Sequence, residues 1–414
     1  MQTNLADFIK DTPAGHEADA ILRTCTHCGF CLTACPTYQL LGDELDSPRG
    51  RIYLIKQMLE GEPVTEKTQL HLDRCLTCRS CETTCPSGVQ YGRLVDIGRD
   101  VAEQKIPRGL FQLLQRKMLR TVLSRRVVFG ALVKLGRLVG PLLPAAKSLL
   151  PVAKSEKYRT TLWPGKQHAR TMLILDGCVQ PALQPNINAA AIRLLDKLKI
   201  TLVRAEQAGC CGAISYHLNA QAEGLDFMRR NIDAWLPHLD RGAEAIVMTA
   251  SGCGVTVKEY GYLLKHDPVY ADKAARISAA TKDISEIILG EKAALIKLLD
   301  KPDTIYKVQK LAYHAPCTLQ HGQKITGVIE AMLTTVDFEL TPVSDQHLCC
   351  GSAGTYSILQ KDISQQLLKN KVSALESGAP DCIVTANIGC LTHLQSGSDL
   401  PVRHWIELLD ERLA

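Results

Sequence analysis

Acid is what one stretch of this 414-residue chain lacks. Between Glu103 and Glu156 stand 52 residues without an Asp or Glu, and eleven basic residues fall among them, from Lys105 to Lys154. The net charge of +5 is therefore a local feature, and the rest of the chain is net acidic. Aromatics make up only 5% of the residues and are not interleaved with the cations, which argues against a nucleic-acid surface. No apolar run reaches the ~20 residues of a membrane span. Low-complexity tracts and a long acidic tail are also missing. No obvious nucleophile, phosphate loop or acid–base pair suggests turnover by this chain alone. Met1 to Lys10 is polar and acidic, unlike an export leader, so a reducing cytoplasm is expected.

Cysteine, by contrast, is abundant, with 17 in the chain. Cys25, Cys28, Cys31 and Cys35 precede Pro36; Cys75, Cys78, Cys81 and Cys85 precede Pro86. Both runs read C-x2-C-x2-C-x3-C-P, the bacterial-ferredoxin spacing for [4Fe–4S] clusters. Three cysteines at intervals of three wrap one face of a cube, and the fourth arrives from elsewhere. In two-cluster ferredoxins the fourth cysteine serves the other cluster. The expected sets are therefore Cys25, Cys28, Cys31 and Cys85 for one cluster, and Cys35, Cys75, Cys78 and Cys81 for the second. Zinc sites favour paired knuckles over triplets with a trailing Cys-Pro, and disulfides would imply export.

The 39 residues between Cys35 and Cys75 exceed what a compact two-cluster ferredoxin uses. Ser47-Pro48 predicts a helix start, with Ile52, Ile55, Met58 and Leu59 on one face. A second helix is predicted from Val64 to Arg74. Residues 1–104 then form an α-helical ferredoxin domain. Residues 105–165 form a basic connector, one or two amphipathic helices carrying Leu110, Phe111, Leu113, Leu114, Met118, Leu119, Val122 and Leu123. Pro141, Pro144 and Pro151 interrupt the helical pattern towards its end. Such a segment suits the headgroup plane of an anionic membrane, or packing on the rest of the protein or on a partner subunit with a solvated basic face.

Residues 166–300 and 301–414 repeat one plan. Cys178, the pair Cys210 and Cys211 with Gly212, and Cys253 make the first copy; Cys317, Cys349 and Cys350 with Gly351, and Cys390 make the second. The lone cysteine and the pair are separated by 31 residues in both, and the pair and the last cysteine by 41 and 39. Strands are predicted at Thr171–Asp176, Thr201–Arg204, Ala245–Thr249, Lys310–His314, Phe338–Pro342 and Cys382–Thr385. Helices are predicted at Asn188–Lys199, Ala222–Leu236, Val328–Thr335 and Asp362–Glu376. That alternation gives parallel sheets with helices on both faces. The fold class is thus α+β and multidomain: a helical ferredoxin domain followed by two α/β lobes, which a pseudo-twofold axis could bring face to face. Each singled-out cysteine follows a strand's C-terminal end, where ligands of open α/β sheets gather. These eight are candidate metal or redox residues; their bland alternative is buried free thiols.

The segments "RTCTHCGFCLTACPTYQLLGDELDSPRGRIYLIK", "GCVQP", "AGCCGAISYHL" and "HLCCGSAGTYSI" carry a family resemblance. The chain resembles the iron–sulfur subunits of membrane-associated flavin dehydrogenases, those of bacterial glycolate oxidase above all, over essentially its whole length. The resemblance implies a sister FAD-containing subunit that oxidises glycolate to glyoxylate. Electrons would then pass through this chain towards membrane quinone, at the inner face of the cytoplasmic membrane. Anaerobic glycerol-3-phosphate and lactate dehydrogenases share the cysteine plan. Heterodisulfide reductase ends its related repeats in C-x2-C, whereas here Cys253 is followed by Thr256 and Cys390 by His393. A thiol–disulfide enzyme and a merely structural use of the clusters remain alternatives. His393 is a candidate replacement ligand. His314, His321 and His347 are candidates for orienting a quinone or relaying a proton, beside the plainer reading of strand-end polar residues bonded to backbone.

Overall fold

The computed structural model describes residues 1–139, 167–299 and 309–413; Pro141, Pro144 and Pro151 lie outside them. In the first domain, helices Pro13–Thr24, Pro48–Leu59, Glu66–Asp73 and Tyr91–Lys105 surround a core of Leu22, Ile55, Met58, Leu59, Leu72 and Leu94. The Ser47 hydroxyl caps the second of these by accepting from the Gly50 N–H at 2.9 Å, with Pro48 at the first position. Thr65 caps the third in the same way at 3.3 Å. Both insert helices stand where the periodicity predicts them.

Each α/β lobe is one four-stranded, all-parallel sheet. The first has β1 (Arg170–Ile174), β2 (Ile200–Val203), β3 (Ile246–Met248) and β4 (Thr281–Asp283), in the order β2-β1-β3-β4. The second has β5 (Lys310–His314), β6 (Glu339–Leu340), β7 (Cys382–Thr385) and β8 (Val402–His404), in the order β6-β5-β7-β8. The fourth strand of each is additional to those predicted. Both are only three residues long, too short for an alternating pattern to register.

The lobes are not separate bodies. One core runs through both, joining Ile187, Leu194 and Leu195 to Trp405, Leu409 and Leu333. Helix Asn186–Lys197 of the first lobe packs on Trp405–Leu413 of the second, and Ile284–Gly290 packs reciprocally on Val328–Thr335. That reciprocity is the mark of a pseudo-twofold arrangement. The ferredoxin domain docks on the pair through Arg79 Nη2 to Glu259 (2.9 Å), the Thr83 hydroxyl and His321 Nδ1 (3.0 Å), and Tyr356 Oη to the Arg74 carbonyl (3.0 Å).

The connector forms two helices, Leu110–Leu123 and Arg126–Val139. Several of its cations turn inward, against the expectation of a wholly solvated basic face. Arg108 and Arg116 both reach Asp73 (2.6 and 3.2 Å) and Arg120 reaches Glu223 (3.2 Å), while Arg126, itself exposed, reaches Asp176 (2.9 Å). Much of the apolar surface turns outward instead: Leu110 is 74% exposed, Phe111 77% and Val127 83%. The reason is electrostatic. The flanking domains supply the carboxylates that the connector lacks. Among the described residues no helix is long and apolar enough to cross a membrane.

Candidate metal centres

The ferredoxin domain brings its eight cysteines into two sets. One pocket is lined by Cys25, Cys28, Cys31 and Cys85, and a second by Cys35, Cys75 and Cys78, with Cys81 on the wall of both. The fourth cysteine of each run therefore crosses to the other set. Cys28 is exposed and Phe30, on the same rim, is 62% exposed, so the first set lies at the surface. In the second set Cys35, Cys75 and Cys81 are buried.

A buried ion network backs the second set. Arg51 is only 1% exposed; its guanidinium donates to the Thr37 hydroxyl (3.1 Å), to Asp46 (3.2 Å) and to the His71 carbonyl (2.7 Å). Asp46 also accepts from Arg74 at 2.8 Å and lies 3.0 Å from His71 Nδ1. Arg51 is thus a fixed positive charge close to Cys35 and Cys75, though burial itself works against it. Among the insert's apolar positions Arg51 stands out as a cation on the buried side of a helix, a signal the periodicity contained and hydrophobic counting passed over.

In the lobes the lone cysteines follow β1 and β5, the pairs follow β2 and β6, and the last cysteines follow β3 and β7. β1 and β3 are neighbours, as are β5 and β7, and they run on either side of the point where strand order reverses, the binding crevice of open sheets. Cys178 neighbours Cys210, and Cys211 neighbours both Cys210 and Cys253; Cys178 and Cys211 together hold the Cys210 thiol well below its ordinary range. In the second lobe Cys317 Sγ stands 3.9 Å from Cys349 Sγ, Cys349 contacts Cys350, and Cys350 contacts Cys390. Each predicted quartet converges.

The Cys-Cys-Gly turns need their glycine. Gly212 has φ of 92° and Gly351 of 90°, and a Cβ would come within 2.6 Å of the Gly224 carbonyl oxygen and 2.7 Å of the Ser364 carbonyl oxygen. In the first lobe Asn231 Nδ2 donates to the Cys210 carbonyl (2.9 Å) and Tyr260 Oη to the Cys211 carbonyl (2.8 Å). In the second the Ser364 hydroxyl donates to the Gly351 carbonyl (2.8 Å). Lys371, buried and donating to the Asp345 carbonyl at 2.7 Å, sets a cation near Cys349 and Cys350.

The histidines separate in role. His393 Nε2 lies 3.2 Å from the Ser364 hydroxyl, and its ring also bonds the Cys350 backbone, so it braces the turn rather than replacing a ligand. His321 ties Thr83 to the His347 carbonyl (2.9 Å). His314 stands inside the second quartet. Cys382, outside both repeats of the pattern, is a small core residue of β7.

The donor sets fit iron–sulfur clusters. All 17 cysteines are free. Burial pushes the Cys31 thiol up to about 11, and Cys78 and Cys81 well above the ordinary thiol range. Thiols held that high stay protonated until a soft cation displaces the proton.

Eight thiols paired across a helical domain, joined to two sheets that each gather four more, define an iron–sulfur subunit of the electron-transferring kind. A 4Fe-4S dicluster domain model matches residues 21–89, and a cysteine-rich (CCG) domain model matches 172–258 and 311–395. The chain is 55% identical to the glycolate oxidase iron-sulfur subunit of Escherichia coli K12, over 100% of this chain and 99% of that protein. It is 31% identical to the probable glycolate oxidase iron-sulfur subunit of Bacillus subtilis 168, over 91% and 89%. Lactate utilization protein A of Bacillus licheniformis is 29% identical over 57% of this chain and 97% of its own length. The chain belongs to the family of glycolate oxidase iron–sulfur subunits.

Proposed function

We propose that this chain is the electron-transfer subunit of a membrane-associated glycolate oxidase, taking electrons from an FAD-containing partner that converts glycolate to glyoxylate and delivering them towards quinone. The observation that carries the reading is the contact between domains: Cys78 of the second ferredoxin set packs with Cys317 and Cys349 of the second lobe in one cluster with Leu76 and Tyr356. A purely structural use of clusters gives no reason for that contact.

Bound at the N-terminal thiols, [4Fe–4S] clusters supply one-electron carriers. The chain's own residues do the rest. Cys25, Cys28, Cys31 and Cys85 hold the surface set, where exposed Phe30 offers a docking rim to a flavoprotein. Cys35, Cys75, Cys78 and Cys81 hold the inner set, and Arg51 stabilises its negative charge. The second lobe's thiols come next. Asn387 links them to the first lobe, accepting from the Gly252 N–H at 3.2 Å. The first lobe's Cys210 lies against Ser124, between the two connector helices. Each set thus neighbours the next, from an exposed rim to an apolar helical surface. We place that surface in the headgroup and acyl boundary of the membrane, the apolar side chains serving as the anchor. With domain limits of 1–104, 105–165, 166–300 and 301–414, the proposed order after the ferredoxin domain runs back along the chain, from the second lobe through the first to the connector.

The test is anaerobic. The tagged chain is copurified with its native partners, substrate is added, and the iron–sulfur visible absorbance is followed. Bleaching by glycolate is expected. Bleaching by lactate or glycerol 3-phosphate alone would reassign the partner's substrate, and no bleaching by any of them in dithionite-responsive protein would remove the reading.

A further inference from the structure

The two repeats differ at the positions that face their thiols. Three residues before the lone cysteine, the first repeat has Leu175 and the second His314. Five before the last cysteine, the first has Met248 and the second Thr385. An apolar pair in one lobe is a polar pair in the other. His314 and Thr385 are register partners across β5 and β7, and His314 Nδ1 lies 3.0 Å from the Thr385 hydroxyl. His314 is 2% exposed, and its Nε2 is buried without a hydrogen-bond partner. A ring nitrogen of His314 and the Sγ atoms of Cys350 and Cys390 lie within 4.8 Å of one another.

We propose that His314 is a metal ligand, through Nε2, of a mixed thiolate–imidazole iron–sulfur centre in the second repeat, while the first repeat offers thiolates alone. A buried imidazole nitrogen without a partner is costly, and its position among thiols supplies the missing partner. Thr385 completes the arrangement from behind: with Nδ1–H donated to its hydroxyl, the Nε2 lone pair is fixed towards the thiols. Iron is favoured over zinc on two grounds. Cys317, Cys349, Cys350, Cys390 and His314 are five donors, one more than a tetrahedral structural zinc takes. Their edge also adjoins Cys78, where a redox-inert ion would serve no transfer. An imidazole in place of a thiolate removes negative charge from the centre and raises its potential. The redox meaning of the site rests on the electron-transfer reading above; the ligand assignment does not.

The experiment uses the full chain copurified anaerobically with its partners, enriched in iron-57 and, separately, in nitrogen-15 histidine. Metal analysis and Mössbauer spectra are recorded for wild type, His314→Leu, which copies the first repeat, and His314→Cys. Pulsed EPR of the reduced protein is recorded alongside. The expected result is a nitrogen coupling that changes isotope with the label, and an iron subspectrum that disappears in His314→Leu. His314→Cys should keep the iron, lose the nitrogen coupling and show a lower midpoint potential. Retained iron with an unchanged Mössbauer spectrum in His314→Leu would overturn the assignment, and so would zinc in place of iron in the wild-type second repeat. Because the eight N-terminal thiols keep their own iron in every variant, a folding failure shows as loss of all centres, and His314→Cys then decides. Failure of glycolate to bleach the protein leaves these readouts intact.

Discussion

Asn387 takes the N–H of Gly252 on its amide oxygen at 3.2 Å and turns its amide nitrogen to Cys390 Sγ at 3.4 Å. One side chain thus joins the residue before Cys253 in the first lobe to the last thiol of the second. N–H bonds to cluster sulfurs raise reduction potentials, so with the centre proposed above in place the same contact would both bind the lobes and tune that centre. Replacing Asn387 by Ala is expected to lower the midpoint potential of the second-lobe centre. It should also cost about 1–3 kcal/mol of stability, because the Gly252 N–H loses its partner. Redox titration and thermal unfolding of the same preparation check both.

The crossing of the fourth cysteines has a sharper consequence. If Cys85 belongs with Cys25, Cys28 and Cys31, then Cys85→Ser should damage the surface cluster although it sits in the second run. Cys35→Ser should damage the inner one. The inner cluster backs onto the Arg51–Asp46 network and the surface one does not, so their EPR signals should separate by potential. Loss of the inner signal in Cys85→Ser would mean that each run serves its own cluster.

Much of this site was readable from spacing. The insert helices, six strands and four convergent quartets followed from periodicity and cysteine intervals. Strands such as β5 and β7 carry continuous apolar runs between turn signals, which is why their limits came out as predicted. What spacing could not show was which polar groups the fold turns towards the thiols. Thr385 and Asn387 look like ordinary strand-end residues, and only the β5–β7 register brings Thr385 to His314. His393 was the more visible histidine because it is three residues from Cys390, one turn along a helix. The helix carries its ring to Ser364 instead. The connector's orientation was hidden for a related reason: Asp73 lies 35 and 43 residues from Arg108 and Arg116, and Glu223 lies 103 from Arg120, although Arg108 also pairs with nearby Glu103.

His404 supplies a pH dependence. Its Nε2 donates to the Thr249 carbonyl at 2.9 Å across the two lobes, and its Nδ1 accepts from the Ile406 N–H at 3.3 Å. The second bond requires the neutral ring, since a protonated Nδ1 has no lone pair to accept with, whereas the first survives protonation. Burial holds its pKa down to about 4, against an ordinary 6.5. The unfolded chain therefore binds this proton more readily than the folded one. The contribution is complete above pH 6.5, declines as pH falls and levels off below about 4, a total on the order of 3 kcal/mol. Urea unfolding midpoints across that window should fall with acid in wild type and flatten in His404→Gln. An unchanged slope in the variant would place the acid sensitivity elsewhere.

On the proposed reading, the connector is the part of the chain that would meet a membrane. With Arg108 and Arg116 bound to Asp73, and Arg120 to Glu223, these cations are committed to the protein. Leu110, Phe111, Leu114 and Met118 on one helix, and Val127, Leu132, Leu135 and Leu138 on the next, stay exposed. Anchoring by that face depends on apolar burial, which salt screens little, rather than on charge, which salt screens strongly. Replacing Leu110, Phe111 and Leu114 by Ser should therefore release the complex from vesicles by about tenfold or more, with cluster content unchanged. Arg116→Glu should act differently, destabilising the fold by repelling Asp73 before it alters docking. Cosedimentation with neutral and anionic vesicles, at low salt and at about 0.5 M, separates the two. Release by salt alone would return the docking role to the exposed Lys117, Arg125 and Lys134; persistence in salt with release by the serine variant would assign it to the apolar face.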